Sequence, residues 1–113
     1  MRHSIFLIGF AGCGKTRLGK KIAKKFDMPF IDLDEAIEIE TGQTIEVLIN
    51  KWGEPRFREI EHTVLKKLLT LPHFVMATGG GTACFHDNIN MINATGISIY
   101  ISMRAEALAQ RLL

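Results

Sequence analysis

The sequence predicts an α/β fold, a three-layer sandwich in which a parallel sheet lies between helices. Three observations carry this. Four short apolar runs rich in β-formers recur along the chain: Ser4 to Ile8, Phe30 to Leu33, Phe74 to Thr78 and Ile97 to Ile101. The segments between them repeat apolar residues at helical spacing. The first three runs each end in glycines or aspartates. Alternating strands and helices imply a parallel sheet with right-handed crossovers, and ligands of such sheets bind at the carboxyl ends of the strands.

The elements follow in order. Ser4-Ile5-Phe6-Leu7-Ile8 is continuously apolar, as suits a strand covered on both faces. Leu18, Ile22, Ala23 and Phe26 then form a helical stripe with lysines opposite. Pro29 opens the second strand. Two short helices are expected at about 35–40 and 45–51, ended by Gly42 and by Gly53 after Trp52. Pro55 suits the first turn of a longer helix reaching Leu71, with Phe57, Ile60, Val64, Leu68 and Leu71 on one stripe. The third strand runs straight into Gly79-Gly80-Gly81. A polar segment with a helical turn leads to the fourth strand, and 104–113 reads as a helix. No repeat or low-complexity linker interrupts the chain, so residues 1–113 are expected to form a single domain.

Composition excludes several function classes. Apolar residues make up 47% and charged residues 23%, the balance of a soluble globular protein. A net charge of +2 is too small to argue for a nucleic-acid partner. Six basic residues fall between Lys15 and Lys25. Lys20, Lys21, Lys24 and Lys25 read as a solvated helix face, whereas Lys15 and Arg17 belong to the site described next. Cys13 and Cys84 match no metal spacing and read as free thiols of a reducing cytosol. No apolar run approaches the roughly 18 residues needed to span a bilayer, so the expectation is a cytoplasmic protein without a membrane or obligate protein partner. Met76 and Met103 are expected to pack, and His3, His62, His73 and His86 to be surface or satisfied core residues.

Gly9-Phe10-Ala11-Gly12-Cys13-Gly14-Lys15-Thr16 fits the phosphate-binding loop pattern G-x-x-x-x-G-K-S/T completely. Glycines let successive backbone N–H groups turn inward around phosphate oxygens. The helix starting at Lys15 adds its positive dipole end. Gly12, Cys13, Gly14, Lys15, Thr16 and Arg17 are therefore assigned to a nucleoside triphosphate. Lys15 is expected to bridge the β- and γ-phosphates and Thr16 to ligate Mg²⁺. A plain glycine-rich turn would not need the strand before and the helix after.

Three further clusters carry candidate chemistry. Asp32-Leu33-Asp34 ends the second strand, and strand alternation would put both carboxylates on one side, facing the phosphate loop. Asp32 then serves Mg²⁺ through water, and Asp34 meets an acceptor hydroxyl as base or orienting group, the catalytic partner of Lys15. The plainer reading makes Asp34 the N-cap of the next helix. Arg58 and Glu61 are three apart on a helix, so Glu61 can hold the guanidinium while a fork stays open to an anionic substrate. The plainer reading is an exposed ion pair, with Arg56 on the same side of the site. Gly79, Gly80 and Gly81 suggest a backbone that a ligand approaches closely, rather than only a flexible turn.

In this order, G-x-x-G-x-G-K-T, F-I-D-L-D, F-R-x-x-E and T-G-G-G-T resemble shikimate kinase, from Ile5 to about Arg111. The resemblance implies the P-loop NTPase fold and transfer of the γ-phosphoryl group of ATP to the 3-hydroxyl of shikimate, in aromatic amino-acid biosynthesis. It implies that Asp34 contacts substrate hydroxyls, Arg58 the substrate carboxylate, Gly80 and its neighbours the pocket wall, and Arg111 the adenine ring. The family's arginine-bearing lid, second substrate arginine, fifth strand and adenine loop have no counterpart before Leu113. The chain is therefore expected to be the N-terminal two-thirds of a longer protein, with its fourth strand an open edge. The alternatives are a kinase for another small polyol, such as gluconate, and a nucleotide-binding fragment without turnover.

Overall fold

A computed structural model describes residues 4–9 and 14–101. Its sheet holds four strands, all parallel: β1 (Ser4–Gly9), β2 (Phe30–Asp32), β3 (Val75–Ala77) and β4 (Gly96–Ile101), in the order β2-β3-β1-β4. Helices α1 (Lys15–Phe26), α2 (Leu33–Thr41), α3 (Ile45–Trp52), α4 (Glu54–Leu68) and α5 (Asn88–Thr95) occupy the crossovers, with a 3-10 turn at Thr82–Cys84. This is the parallel α/β sandwich that the strand and helix pattern predicts. The candidate residues Gly12, Cys13 and Arg111, with Met103, His3 and the expected terminal helix, lie outside the described residues.

Alternation along β1 divides the core between the two faces of the sheet. Phe6 and its register partner Met76 point to one side, into a fully buried cluster with Leu33, Ile37, Leu65, Phe74 and Ile92. Phe6 and Phe74 meet edge to face, 5.4 Å between ring centroids. Leu7 points to the other side and packs with Leu18 of α1 and Ile101. Side chains cover β1 from both faces, so its run is apolar without a polar phase.

Helix ends follow capping chemistry. Asp32 caps α2 by accepting the Glu35 N–H, and Thr44 caps α3 by accepting that of Val47. Glu38 Oε2 accepts the Ile45 N–H at 2.9 Å, tying α2 to the start of α3. Pro55 lies in the first turn of α4, where its missing N–H costs nothing.

The structure corrects several expectations. α2 begins at Leu33, two residues early, because Asp32 takes the capping position and starts the helix there. α4 stops at Leu68 and closes through i→i+3 turns, leaving Leu71 44% exposed rather than on the buried stripe. Phe26, in the last turn of α1, is 55% exposed, so the buried stripe of that helix ends at Ala23. β4 does lie at the sheet edge among the described residues, with Ile97, Ile99 and Tyr100 exposed.

The pairing of Ser4 with Gly96 starts the β1–β4 ladder. A Cβ on Gly96 would fall 2.0 Å from the Ser4 carbonyl oxygen, a backbone atom that cannot rotate away. Gly96→Ala should destabilise the fold by about 1–3 kcal/mol, the usual scale of overpacking. Urea unfolding checks this, since a midpoint equal to that of the parent protein would mean that β4 slides to accommodate a methyl.

Candidate active site

Register brings the functional segments together. Leu7 pairs with Ala77, and Ala77 pairs with Asp32, so three strand ends lie side by side at one edge of the sheet. The phosphate loop leaves β1 at Gly9, α2 leaves β2 at Asp32, and the triple glycine follows β3 by way of Thr78. Thr78 is clamped to β1, its N–H and hydroxyl both donating to the Leu7 carbonyl at 3.1 and 2.8 Å.

At the nucleotide end, Gly14 caps α1 with φ +87°, a left-handed conformation that side chains rarely adopt. Its carbonyl accepts the Leu18 N–H and closes the first helical turn. Lys15 is buried, and its ammonium donates to the Gly9 carbonyl at 2.6 Å, spanning the loop. Thr16 and Arg17 are exposed on the first turn. The Thr16 hydroxyl donates to Asp32 Oδ2 at 3.1 Å, so the two residues read as metal ligands share one spot.

Asp34 reaches the site by a route different from the expected one. It stands in the first turn of α2, not on a strand, and Asp32 rather than Asp34 makes the capping bond. Its Oδ1 lies 2.9 Å from where a Cβ of Gly79 would be, so a side chain there would push the carboxylate aside. Burial raises the Asp34 pKa above its ordinary value, and the charges of Asp32, Glu61 and Glu38 push it further, against the pull of Lys15. A carboxyl held toward its neutral form in a cleft is suited to accepting a proton.

The Arg58–Glu61 pair is no exposed ion pair. Glu61 has no solvent exposure, and its Oε1 accepts from Arg58 Nη1 at 3.0 Å. Arg58 stacks on Phe85, the guanidinium carbon 4.4 Å from the ring centroid, with Glu54 at 3.8 Å from its Nε. Its Nη2 lies 2.6 Å from the place a Gly81 Cβ would take. The fork therefore opens on the glycine turn, while Gly80 at the crest is exposed. Arg56 belongs elsewhere: it pairs with Glu59 at 2.8 Å in solvent and lines a separate cavity beside Trp52 and Gln43.

Two polar residues passed over in the sequence complete this side, together with His62. Thr82 is fully buried and donates to Glu61 Oε2 at 2.7 Å. Asn88, also fully buried, donates to the Thr82 carbonyl at 2.8 Å, and its Oδ1 lies 2.7 Å from His62 Nδ1. His62 is thus a satisfied residue, as expected. The signal for Thr82 was its place directly after the glycines; nothing in the local sequence marks Asn88.

Comparison with known proteins matches the shikimate kinase family model over residues 11–113. The chain belongs to the shikimate kinase family. Shikimate kinase of Bacteroides thetaiotaomicron is 42% identical over 108 residues, covering 96% of this chain and 62% of that protein. That of Parabacteroides distasonis is 40% identical with the same coverage. Among solved structures, the B. thetaiotaomicron shikimate kinase superposes with a TM-score of 0.86 over 88% of this chain and 57% of its own. Shikimate kinase from Acinetobacter baumannii in complex with shikimate gives 0.86 at 34% identity, over 94% and 60%. The chain thus spans about three-fifths of the length of these shikimate kinases.

No helix among the described residues is long and apolar enough to cross a membrane. Cys84 is a free, exposed thiol.

The raised pKa of Asp34 has a stability consequence. The folded state holds its proton to higher pH than the unfolded chain, so stability falls as pH rises from 3.8 through the raised value. Above that value the buried charge is a standing cost. Asp34→Asn should therefore raise the denaturation midpoint at pH 7, and the gain should vanish below pH 3.8. Denaturant titrations at the two pH values check the sign; a pH-independent difference would deny Asp34 its raised pKa.

Proposed function

We propose that the chain carries the phosphate and acceptor sites of a kinase that transfers the γ-phosphoryl group of ATP to the 3-hydroxyl of shikimate. The observation supporting this most directly is the Arg58 fork, backed by buried Glu61 and opening on the glycine turn where Asp34 also stands. A carboxylate-bearing polyol matches a guanidinium for its acid group and a carboxylate for its hydroxyls.

In this reading Gly12, Cys13 and Gly14 cradle phosphate through backbone N–H groups, and Arg17 and Arg111 contact the nucleotide. Lys15 bridges the β- and γ-phosphates. Thr16 and Asp32 offer a hydroxyl and a carboxylate 3.1 Å apart, hard oxygens that fit Mg²⁺ shared with substrate phosphates. Bound there, Mg²⁺ would offset phosphate charge. Arg58 orients shikimate by its carboxylate, and Gly79, Gly80 and Gly81 wall the pocket. The 3-hydroxyl oxygen bonds to the γ-phosphorus as the bond to the β-phosphate oxygen breaks, and the hydroxyl proton passes to Asp34. ADP and 3-phosphoshikimate leave. The free thiol at Cys84 suits a cytoplasmic setting.

The test is ADP release from ATP and Mg²⁺ with shikimate, run against gluconate. Stimulation by shikimate alone is expected; stimulation by gluconate alone would transfer the chain to another polyol, and none by either would leave a nucleotide-binding protein. Lys15→Ala should weaken ATP binding strongly and abolish transfer, because the loop loses its ammonium. Unchanged ATP affinity by calorimetry would refute the loop assignment. Arg58→Lys should raise KM for shikimate about tenfold and leave ATP binding intact, since lysine keeps the charge but not the two-pronged geometry. Equal losses for both substrates would mark Arg58 as a folding residue.

A further inference from the structure

Thr82 stands in the 3-10 turn directly after the glycines, with no solvent exposure. Its hydroxyl is used twice. It donates to Glu61 Oε2 at 2.7 Å and accepts the Gly79 N–H at 2.8 Å. The two partners leave no choice of direction: an ionised carboxylate only accepts and an amide N–H only donates. One hydroxyl proton therefore has one orientation, and the bond pattern is directional from Gly79 through Thr82 to Glu61.

The residue itself cannot drift. Asn88 holds its carbonyl, and the Thr82 N–H donates to the Gly79 carbonyl at 3.3 Å. Glu61 is left with Oε1 for Arg58 Nη1, and the Arg58 plane is fixed from the side by Phe85. α4 and the turn after β3 are distant in sequence, and this hydroxyl joins them at the point where the fork meets the glycines.

We infer that Thr82 is a positioning residue for Arg58: through Glu61 it sets where the guanidinium fork stands relative to the glycine turn, and so the fit of an anionic substrate. The substrate half of this rests on the proposed function; the link from Thr82 to Arg58 does not. A valine would fill the same volume, so the packing needs no hydroxyl at this place. What needs it are the Gly79 N–H and the second oxygen of Glu61, and a Glu61 without that bond is free to rotate and carry Arg58 with it.

The experiment compares the parent chain with Thr82→Val and Thr82→Ser, by ¹⁵N NMR of the arginine side chains without ligand and by calorimetry with shikimate and with ATP. In the parent, Glu61 and Phe85 should slow rotation of the Arg58 guanidinium and give separate Nη signals. Thr82→Val should merge them and weaken shikimate about tenfold, the scale of a lost buried bond to a charged group, with ATP affinity unchanged. Thr82→Ser should restore both. Separate signals and parent-like shikimate affinity in the valine variant would overturn the inference, as would equal losses for shikimate and ATP. A parent with a restrained fork but no affinity for shikimate would sink the substrate assignment, while the NMR comparison still decides the link. If the valine variant does not fold, Thr82→Ala is read in the same way.

Discussion

A carboxylate sealed from water holds this site together. Taking Glu61 out of solvent costs several kcal/mol unless its oxygens are bonded. Oε1 is bonded by Arg58 on the same helix, but Oε2 is bonded by Thr82, a residue that follows a different strand. The cost of leaving either oxygen bare forces α4 and the end of β3 into one relation. That relation in turn decides where the Arg58 fork opens and how closely the glycine turn passes Asp34. Hydrophobic packing of Phe57, Val64 and Leu65 would hold α4 against the sheet but would tolerate sliding. The polar bonds do not.

The charge balance of the cleft is unfavourable by itself. Asp32, Asp34, Glu38 and Glu61 gather near a loop whose sequence pattern suits phosphate. Three devices offset the repulsion. Lys15 reaches the Gly9 carbonyl, Arg58 neutralises Glu61, and α1 turns the positive end of its dipole toward the site. Burial raises the pKa of Asp34 most, and the repulsion that remains adds to it. The same crowding that costs stability gives that group an affinity for protons above the ordinary aspartate.

Much of this was legible in the sequence. Strand 1 is apolar on both faces because two clusters flank it, and the phosphate loop pattern has few other uses. The failures have local physical causes. Strand alternation misplaced Asp34 because Asp32 can act as a cap, and a cap converts the next residues to a helix, where the period is no longer two. The stripe through Leu71 overran because a helix ends where its covering layer ends, which spacing does not encode. Glu61 was legible as a partner of Arg58 from the three-residue interval. Its complete burial was not, because the partner of its second oxygen, Thr82, comes from the turn after β3 and is itself held by Asn88.

The same burial explains how such a site would discriminate among polyols. A neutral polyol and a carboxylated one offer similar hydroxyls to Asp34, so those contacts separate them weakly. In the proposed reading, Arg58 would separate them by what happens when its partner is missing. Nη1 is committed to Glu61, and Nε is buried without a hydrogen bond, so the guanidinium has little solvent to fall back on. A ligand without a carboxylate would cover the fork and leave charged donors unpaired, a penalty of about 1–3 kcal/mol or more. A site built around a buried donor rejects the analogue lacking its partner more strongly than it attracts the correct one. Under the proposed function, selectivity for an acid would then follow from the hold of Glu61 on the arginine.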